Sequence, residues 1–318
     1  MADHPDPQPC RLEPWLDLAP HLDGFEVISL SLGPDRAAYV LAEKPPIKQD
    51  WRSDQLATFV VLRCDEVSIE RIVLADQPGN AHYVQPLPGD ELLLVCARSA
   101  YRAHDDYDLN AQVFGRDGAL RRSFCLGDGI ASVQTTSDGC IWTSYYDEGV
   151  FGNNGWVMPL DSEELVRPLG HSGLVCWDAN GKPLYEYSTP EELDGICDCY
   201  ALNVSSNNET WCYYYTDFPL VRLLDYNIVN WWDCPIRGAN RFAVNGNIVL
   251  MDGGYDKRDQ YHLFELEADG SMRELAAFAF FTPDGAPLAA VRKAFRADQG
   301  ILLHENRIYR VDLYLQFA

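Results

Sequence analysis

Carboxylates set beside aromatic rings recur in short stretches of this chain. "DEGVFGNNGW" (147–156) offers Asp147, Glu148 and Trp156, and "YRAHDDYDLN" (101–110) offers Asp105 and Asp106. Asp256, in "GGYDKRDQ", follows a tyrosine in the same way. Carboxylates accept short, charge-assisted hydrogen bonds from ammonium and guanidinium groups. Trp and Tyr bury much area at low entropy cost. These six residues therefore suit contact with a basic surface.

Covalent chemistry lacks its signatures. There is no GxSxG elbow, Walker loop, HExxH or GxGxxG fingerprint. His171 and Ser172 are adjacent in "LGHSGLVCW", and neighbours in an extended chain point to opposite sides. His104 in "YRAHDDYD" and His304 in "LLHENR" lie near carboxylates, and both read as turn or surface residues. The ten cysteines lie mostly in apolar runs such as "LLLVCAR", with no CxxC pair. They read as small buried hydrophobes of a reducing compartment. The close pair Cys197 and Cys199 has no further soft ligand nearby in sequence.

The formal net charge is −23 and 12% of residues are aromatic. Such a field repels phosphate backbones and anionic lipid, so neither nucleic acid nor membrane is expected as a partner. It raises the association rate with a basic protein. No run of about 18 apolar residues is present, so no membrane-spanning helix is expected. The start, "MADHPDPQPCRLEPW", lacks the basic and apolar regions of a secretory signal, which points to the cytoplasm.

The elements that carry these residues are short alternating runs divided by Gly, Asp, Asn and Pro. Asp117-Gly118, Asn180-Gly181 and Asp269-Gly270 each sit between two such runs, as tight hairpins require. Helical periodicity is confined to "TPEELDG" near Thr189 and "PLAAVRKAF" near Leu288. The strand runs group into six units, about 24–76, 80–127, 128–190, 194–236, 238–281 and 284–316. Four strands per unit at a period near 45 is the pattern of a β-propeller blade. A pair of β-sandwiches has no need of such regular units. Unit six supplies about three strands, and the N-terminal stretch around "CRLEPWLDL" is expected to complete it. The expected fold is one all-β domain over residues 1–318: a six-bladed propeller of four-stranded antiparallel blades.

"SVQTTSDGCIWTSYY" (132–146) resembles the blade motif of six- and seven-bladed propellers, including the sensor-type and gluconolactonase-like families. The matching residues are Asp138, Gly139, Ile141, Trp142 and Ser144. One blade matches well and the others loosely. The resemblance implies architecture first. It also implies a second function, because gluconolactonase-like propellers hold a divalent cation with carboxylate and amide oxygens. Asp147, Asp198, Asn203 and Asn240 are the residues that would hold calcium here.

The leading expectation is a non-enzymatic, cytoplasmic binding propeller without a cofactor. Its acidic loops engage a basic protein, in the manner of an immunity or antitoxin-type inhibitor. The alternative is a calcium-type hydrolase.

Overall fold

The computed structural model describes residues 7–46, 50–52, 55–77, 80–157 and 166–316. The acidic start of the chain, residues 1–6, lies outside them.

The chain is all-β and is built as a six-bladed β-propeller. Strands β1 (Gln8–Arg11) and β2 (Pro14–Asp17) open it, followed by the single turn α1 (Ala19–Leu22). Blade 1 is β3 (Glu26–Leu32), β4 (Ala38–Glu43), β5 (Ala57–Cys64) and β6 (Ile69–Gln77). Blade 2 begins with β7 (Tyr83–Leu87) and β8 (Glu91–Val95). A small hairpin, β9 (Tyr101–Ala103) and β10 (Asp106–Tyr107), then precedes β11 (Ala111–Gly115) and β12 (Leu120–Phe124). Blade 3 is β13 (Ile130–Thr135), β14 (Ile141–Tyr145), β15 (Leu174–Trp177) and β16 (Pro183–Glu186), with α2 (Asp147–Phe151) after β14. Blade 4 is β17 (Asp198–Val204), β18 (Glu209–Tyr215), β19 (Pro219–Leu224) and β20 (Asn227–Asp233). Blade 5 is β21 (Phe242–Asn245), β22 (Ile248–Gly253), β23 (Lys257–Leu266) and β24 (Met272–Phe281). Blade 6 is β25 (Arg292–Arg296), β26 (Gln299–His304) and β27 (Arg307–Asp312), and α3 (Leu313–Gln316) follows.

The N-terminal stretch completes blade 6 as expected. β2 pairs antiparallel with β27, with Leu16 opposite Ile308 and Asp17 opposite Arg307. β1 adds to blade 5 as a fifth strand, parallel to β24, with Cys10 opposite Phe280. A sheet edge left open templates pairing with other chains, and both contacts cover one.

The contacts gather into two compact units, one of residues 21–199 and one of residues 1–20 with 200–318. In the first unit, β8 explains why "LLLV" is apolar throughout. Leu92 and Leu94 pack with Phe59, Leu74 and Phe114, in the core between blades 1 and 2. Leu93 and Val95 pack with Ile141, Tyr145 and Trp177, between blades 2 and 3. Strand side chains alternate between faces, and here both faces are buried. In the second unit β22 does the same. Val249 and Met251 meet Trp211, Tyr213 and Phe264, while Leu250 meets Leu12, Leu302 and Tyr309. Trp142 is buried at 3% exposure, its ring 5.7 Å from that of Tyr185 in the same blade.

Many of the acids cap turns. Asp117 Oδ1 accepts from Ala119 N, Asp178 Oδ1 from Asn180 N, and Asp269 Oδ1 from Ser271 N. Asp65 Oδ1 accepts from Val67 N and Ser68 N, which together with Arg63 holds its pKa down at about 2. Part of the acidity is thus hairpin chemistry.

Neither expected helix forms. Residues 189–195 make turns, and the stretch near Leu288 leads irregularly into β25. A capping-like start with one turn of sequence and no apolar stripe cannot offset the cost of helix nucleation.

Candidate functional site

In a four-stranded meander, the first-to-second and third-to-fourth hairpins share one end of the blade. The second-to-third connection lies at the other end, together with the entry to the first strand. All six candidate binding residues sit on second-to-third connections. Asp105 and Asp106 lie between β8 and β11, Asp147, Glu148 and Trp156 between β14 and β15, and Asp256 between β22 and β23. Asp198 opens β17, the same kind of blade end.

In the first unit, two of these connections are packed into one body. Tyr101 N donates to Asn154 O at 2.9 Å, and Trp156 Nε1 donates to Ser99 O at 2.9 Å. The Trp156 ring lies 5.1 Å from Tyr101 and 6.0 Å from Tyr107. Gly155 permits this approach. Its φ is +90°, and a Cβ there would stand 1.9 Å from the Tyr101 carbonyl oxygen. The start of α2 rests on the 127–129 turn, where Tyr146 N donates to Gly129 O. A Cβ on Gly149 would meet Asp128 O at 2.5 Å, so backbone approaches backbone with no side chain between.

A buried carboxylate ties the pieces together. Asp128 is 3% exposed. It accepts from Ser99 N at 2.8 Å, Arg98 Nη2 at 3.0 Å and Asn154 Nδ2 at 2.9 Å. Arg98 also donates to Glu148, and Arg52 Nη2 donates to Asn154 Oδ1 at 2.7 Å. Nothing in the local sequence marks Arg98, and "GDGIAS" (127–132) reads as a tight turn. The signal there was an Asp between two glycines.

The exposed charged groups on this body are acids together with Arg102 and His104. Asp105 is exposed at φ +63°, and Asp106 is exposed and paired with Arg102 at 2.8 Å. Glu148 is held by Arg98, whereas exposed Asp147 makes no ion pair among the described residues. Trp156 is expected as a surface contact, but it is 3% exposed and its indole props the loop from inside. Asp198 is half-buried, with Oδ1 sealed from solvent and without a hydrogen-bond partner. Burial first, then the charges of Asp147 and Glu148, push its pKa up to about 6. Like charges near a partly desolvated carboxyl disfavour its ionised form.

In the second unit Asp256 is exposed beside Tyr255. Asn203 is fully buried, and its amide is already in use. Oδ1 accepts from Ala297 N at 2.8 Å and from Ser205 Oγ at 3.0 Å, and Nδ2 donates to Phe242 O at 3.0 Å. With both lone pairs occupied it does not fit the role of a cation ligand. Asn240 Nδ2 donates to Gly238 O at 3.3 Å, and its backbone N–H donates to Asp252. Among the described residues no group of three or more His, Cys, Asp or Glu is placed to hold a metal ion.

The remaining reactive groups are quiet. Ser172 Oγ donates to Leu174 O at 3.0 Å, and His171 Nδ1 lies 3.1 Å from Pro168 O, so the two form no couple. Burial pushes the Cys96 thiol up to about 11 and the Cys64 and Cys234 thiols to about 12, which suppresses the thiolate. Among the described residues no helix is long and apolar enough to cross a membrane.

A model of the YxzG family matches residues 171–309, less than half of the chain. No curated protein matches. Among solved structures the chain is similar to the periplasmic gluconolactonase PpgL of Pseudomonas aeruginosa. The two are 14% identical over 81% of this chain and 86% of that one, with a TM-score of 0.40.

Proposed function

We propose that this protein is a non-enzymatic binding propeller that holds a basic protein partner on its acidic blade-end loops, in the cytoplasm, as an immunity or antitoxin-type inhibitor does. One observation carries this reading: Asp198 is half-buried with an unpartnered Oδ1, and burial first, then the charges of Asp147 and Glu148, raise its pKa to about 6. A lysine or arginine from a partner relieves that repulsion and gains charge-assisted hydrogen bonds in a partly desolvated place. The body beneath is rigid, because buried Asp128 and Trp156 lock both loops, so little entropy is lost on binding. The net charge of −23 adds long-range steering.

The test is co-purification from the native host at low and high salt, followed by titration of the recovered partner with Asp147→Lys/Glu148→Lys. A stoichiometric basic partner, released by salt and bound at least tenfold more weakly by the variant, is the expected result. No stoichiometric partner at low salt, or a partner indifferent to the charge reversal, overturns the proposal.

A second reading, the calcium-type hydrolase, draws on the same sealed Asp198 Oδ1 beside Asp147. The spent amide of Asn203 counts against the ligand set expected for it. A melting temperature unmoved by calcium and by EDTA removes this reading.

A further inference from the structure

The outermost strands of the blades differ in how they are protected. β6 carries Glu70, Arg71 and Asp76, β12 carries Arg121 and Arg122, and β16 carries Pro183 and Glu186. β2 carries Pro14 and Asp17, and β24 is covered by β1. Charges and prolines on an edge strand are the usual defence against pairing with another chain. β20, "NIVNWWD", has neither from Asn227 to Trp232, and no strand lies on its outer side among the described residues. Val229 is 41% exposed on it. Val229 is also the residue at which the pairing with β19 slips, since Arg222 faces Asn230 and Leu223 faces Ile228.

A groove of about 600 Å³ runs beside this edge, against the turn between β23 and β24. Trp211 and Trp232, stacked at 5.6 Å, are part of its lining, and half-buried Trp231 adds a third indole. Asp233, at the end of β20, is already engaged by that turn. Its N–H donates to Gly270 O at 2.9 Å, and it makes a parallel bridge to Ser271. The edge from Asn227 to Asn230 lies beyond that contact. Asp225, Asp233 and Asp269 are exposed around it and make no ion pair among the described residues. The arginines in reach are taken, Arg222 by Glu209 at 2.8 Å and Arg273 by Glu267 at 2.8 Å. The edge is therefore apolar in the middle and negative around it. The fold already adds a strand from outside a blade, since β1 does this to β24.

We propose that the outer edge of β20 receives an extended, basic segment of the partner protein, which joins blade 4 as a fifth strand. Its main chain pairs with Asn227–Asn230, and its lysine or arginine side chains meet Asp225, Asp233, Asp269 and the face of Trp231. This rests on the reading that the partner is basic.

Three synthetic heptapeptides test it: acetyl-KVKVKVK-amide, its glutamate counterpart, and the lysine peptide N-methylated at alternate residues, which keeps the charge and removes backbone donors. Titration calorimetry on the full chain measures affinity, and amide hydrogen exchange locates the site. The lysine peptide is expected to bind and to protect residues 228–231. N-methylation, and separately Val229→Pro on the protein, is expected to weaken it at least tenfold. The glutamate peptide is expected not to bind. Equal binding of the N-methylated peptide, or protection at another blade edge, overturns strand addition at β20 and leaves the basic-partner reading standing. No binding of the lysine peptide also overturns it, while the charge reversal at Asp147 and Glu148 decides the partner reading separately.

Discussion

The indole N–H of Trp156 donates to the carbonyl of Ser99, 57 positions earlier in the chain, at 2.9 Å. Through this bond the long connection of blade 3 props up the hairpin of blade 2. Trp156→Ala is expected to cost about 3–5 kcal/mol, the usual range for emptying a buried aromatic site. Trp156→Phe keeps most of the apolar area and loses the bond, for about 1–2 kcal/mol. Hydrogen exchange should accelerate at residues 99–108 in both variants, and first in the alanine one. Unchanged exchange there would mean that the hairpin holds its shape unaided.

Arg98 and Asp128 set the second prediction. Arg98→Met removes a guanidinium from a carboxylate that is 3% exposed and leaves its charge with only Ser99 N and Asn154 Nδ2. Breaking a wholly buried pair costs about 3–5 kcal/mol. Arg98 keeps 22% of its side-chain exposure, so water offsets part of this and about 2–3 kcal/mol is expected. Urea denaturation measures it. A loss below about 0.5 kcal/mol would show the pair to be no more than a surface contact.

Asp198 sets the third, and its sign is opposite to that of a salt-bridged acid. In the folded protein it takes up a proton as pH falls through about 6, while the unfolded chain stays charged down to about 3.8. Between those values the native state holds the extra proton, so this group adds stability as pH falls and withdraws it as pH rises. The full equivalent is about 3 kcal/mol, which half-exposure reduces to about 1–2 kcal/mol. Asp198→Asn should therefore be more stable than the natural chain at pH 7 by that amount and should converge with it near pH 4. Thermal melts across this range check it. A variant less stable at pH 7 would mean that the carboxylate is held by a favourable contact.

What could be read without the structure was local. Short apolar runs such as "ELLLV" and "IWTSY", with Asp-Gly or Asn-Gly between such runs, specify strands and hairpins because a blade strand buried on both faces is apolar on both and a tight turn needs particular backbone angles. Repetition of that unit six times, with a short last blade, pointed to the propeller and to a closing N-terminal strand. The helix expected near Thr189 failed for a local reason as well, a good cap with no apolar face to bury. The site was legible only as composition. Asp105, Asp106, Asp147 and Glu148 stand exposed, as acids in loops generally do. Burial of Trp156, the role of Asp128, the raised pKa of Asp198 and the spent amide of Asn203 depend on partners from 26 to 94 positions away. Such pairings exist only once the blades have brought the loops together, since the desolvation and charge that decide them belong to the folded neighbourhood and to no stretch of chain on its own.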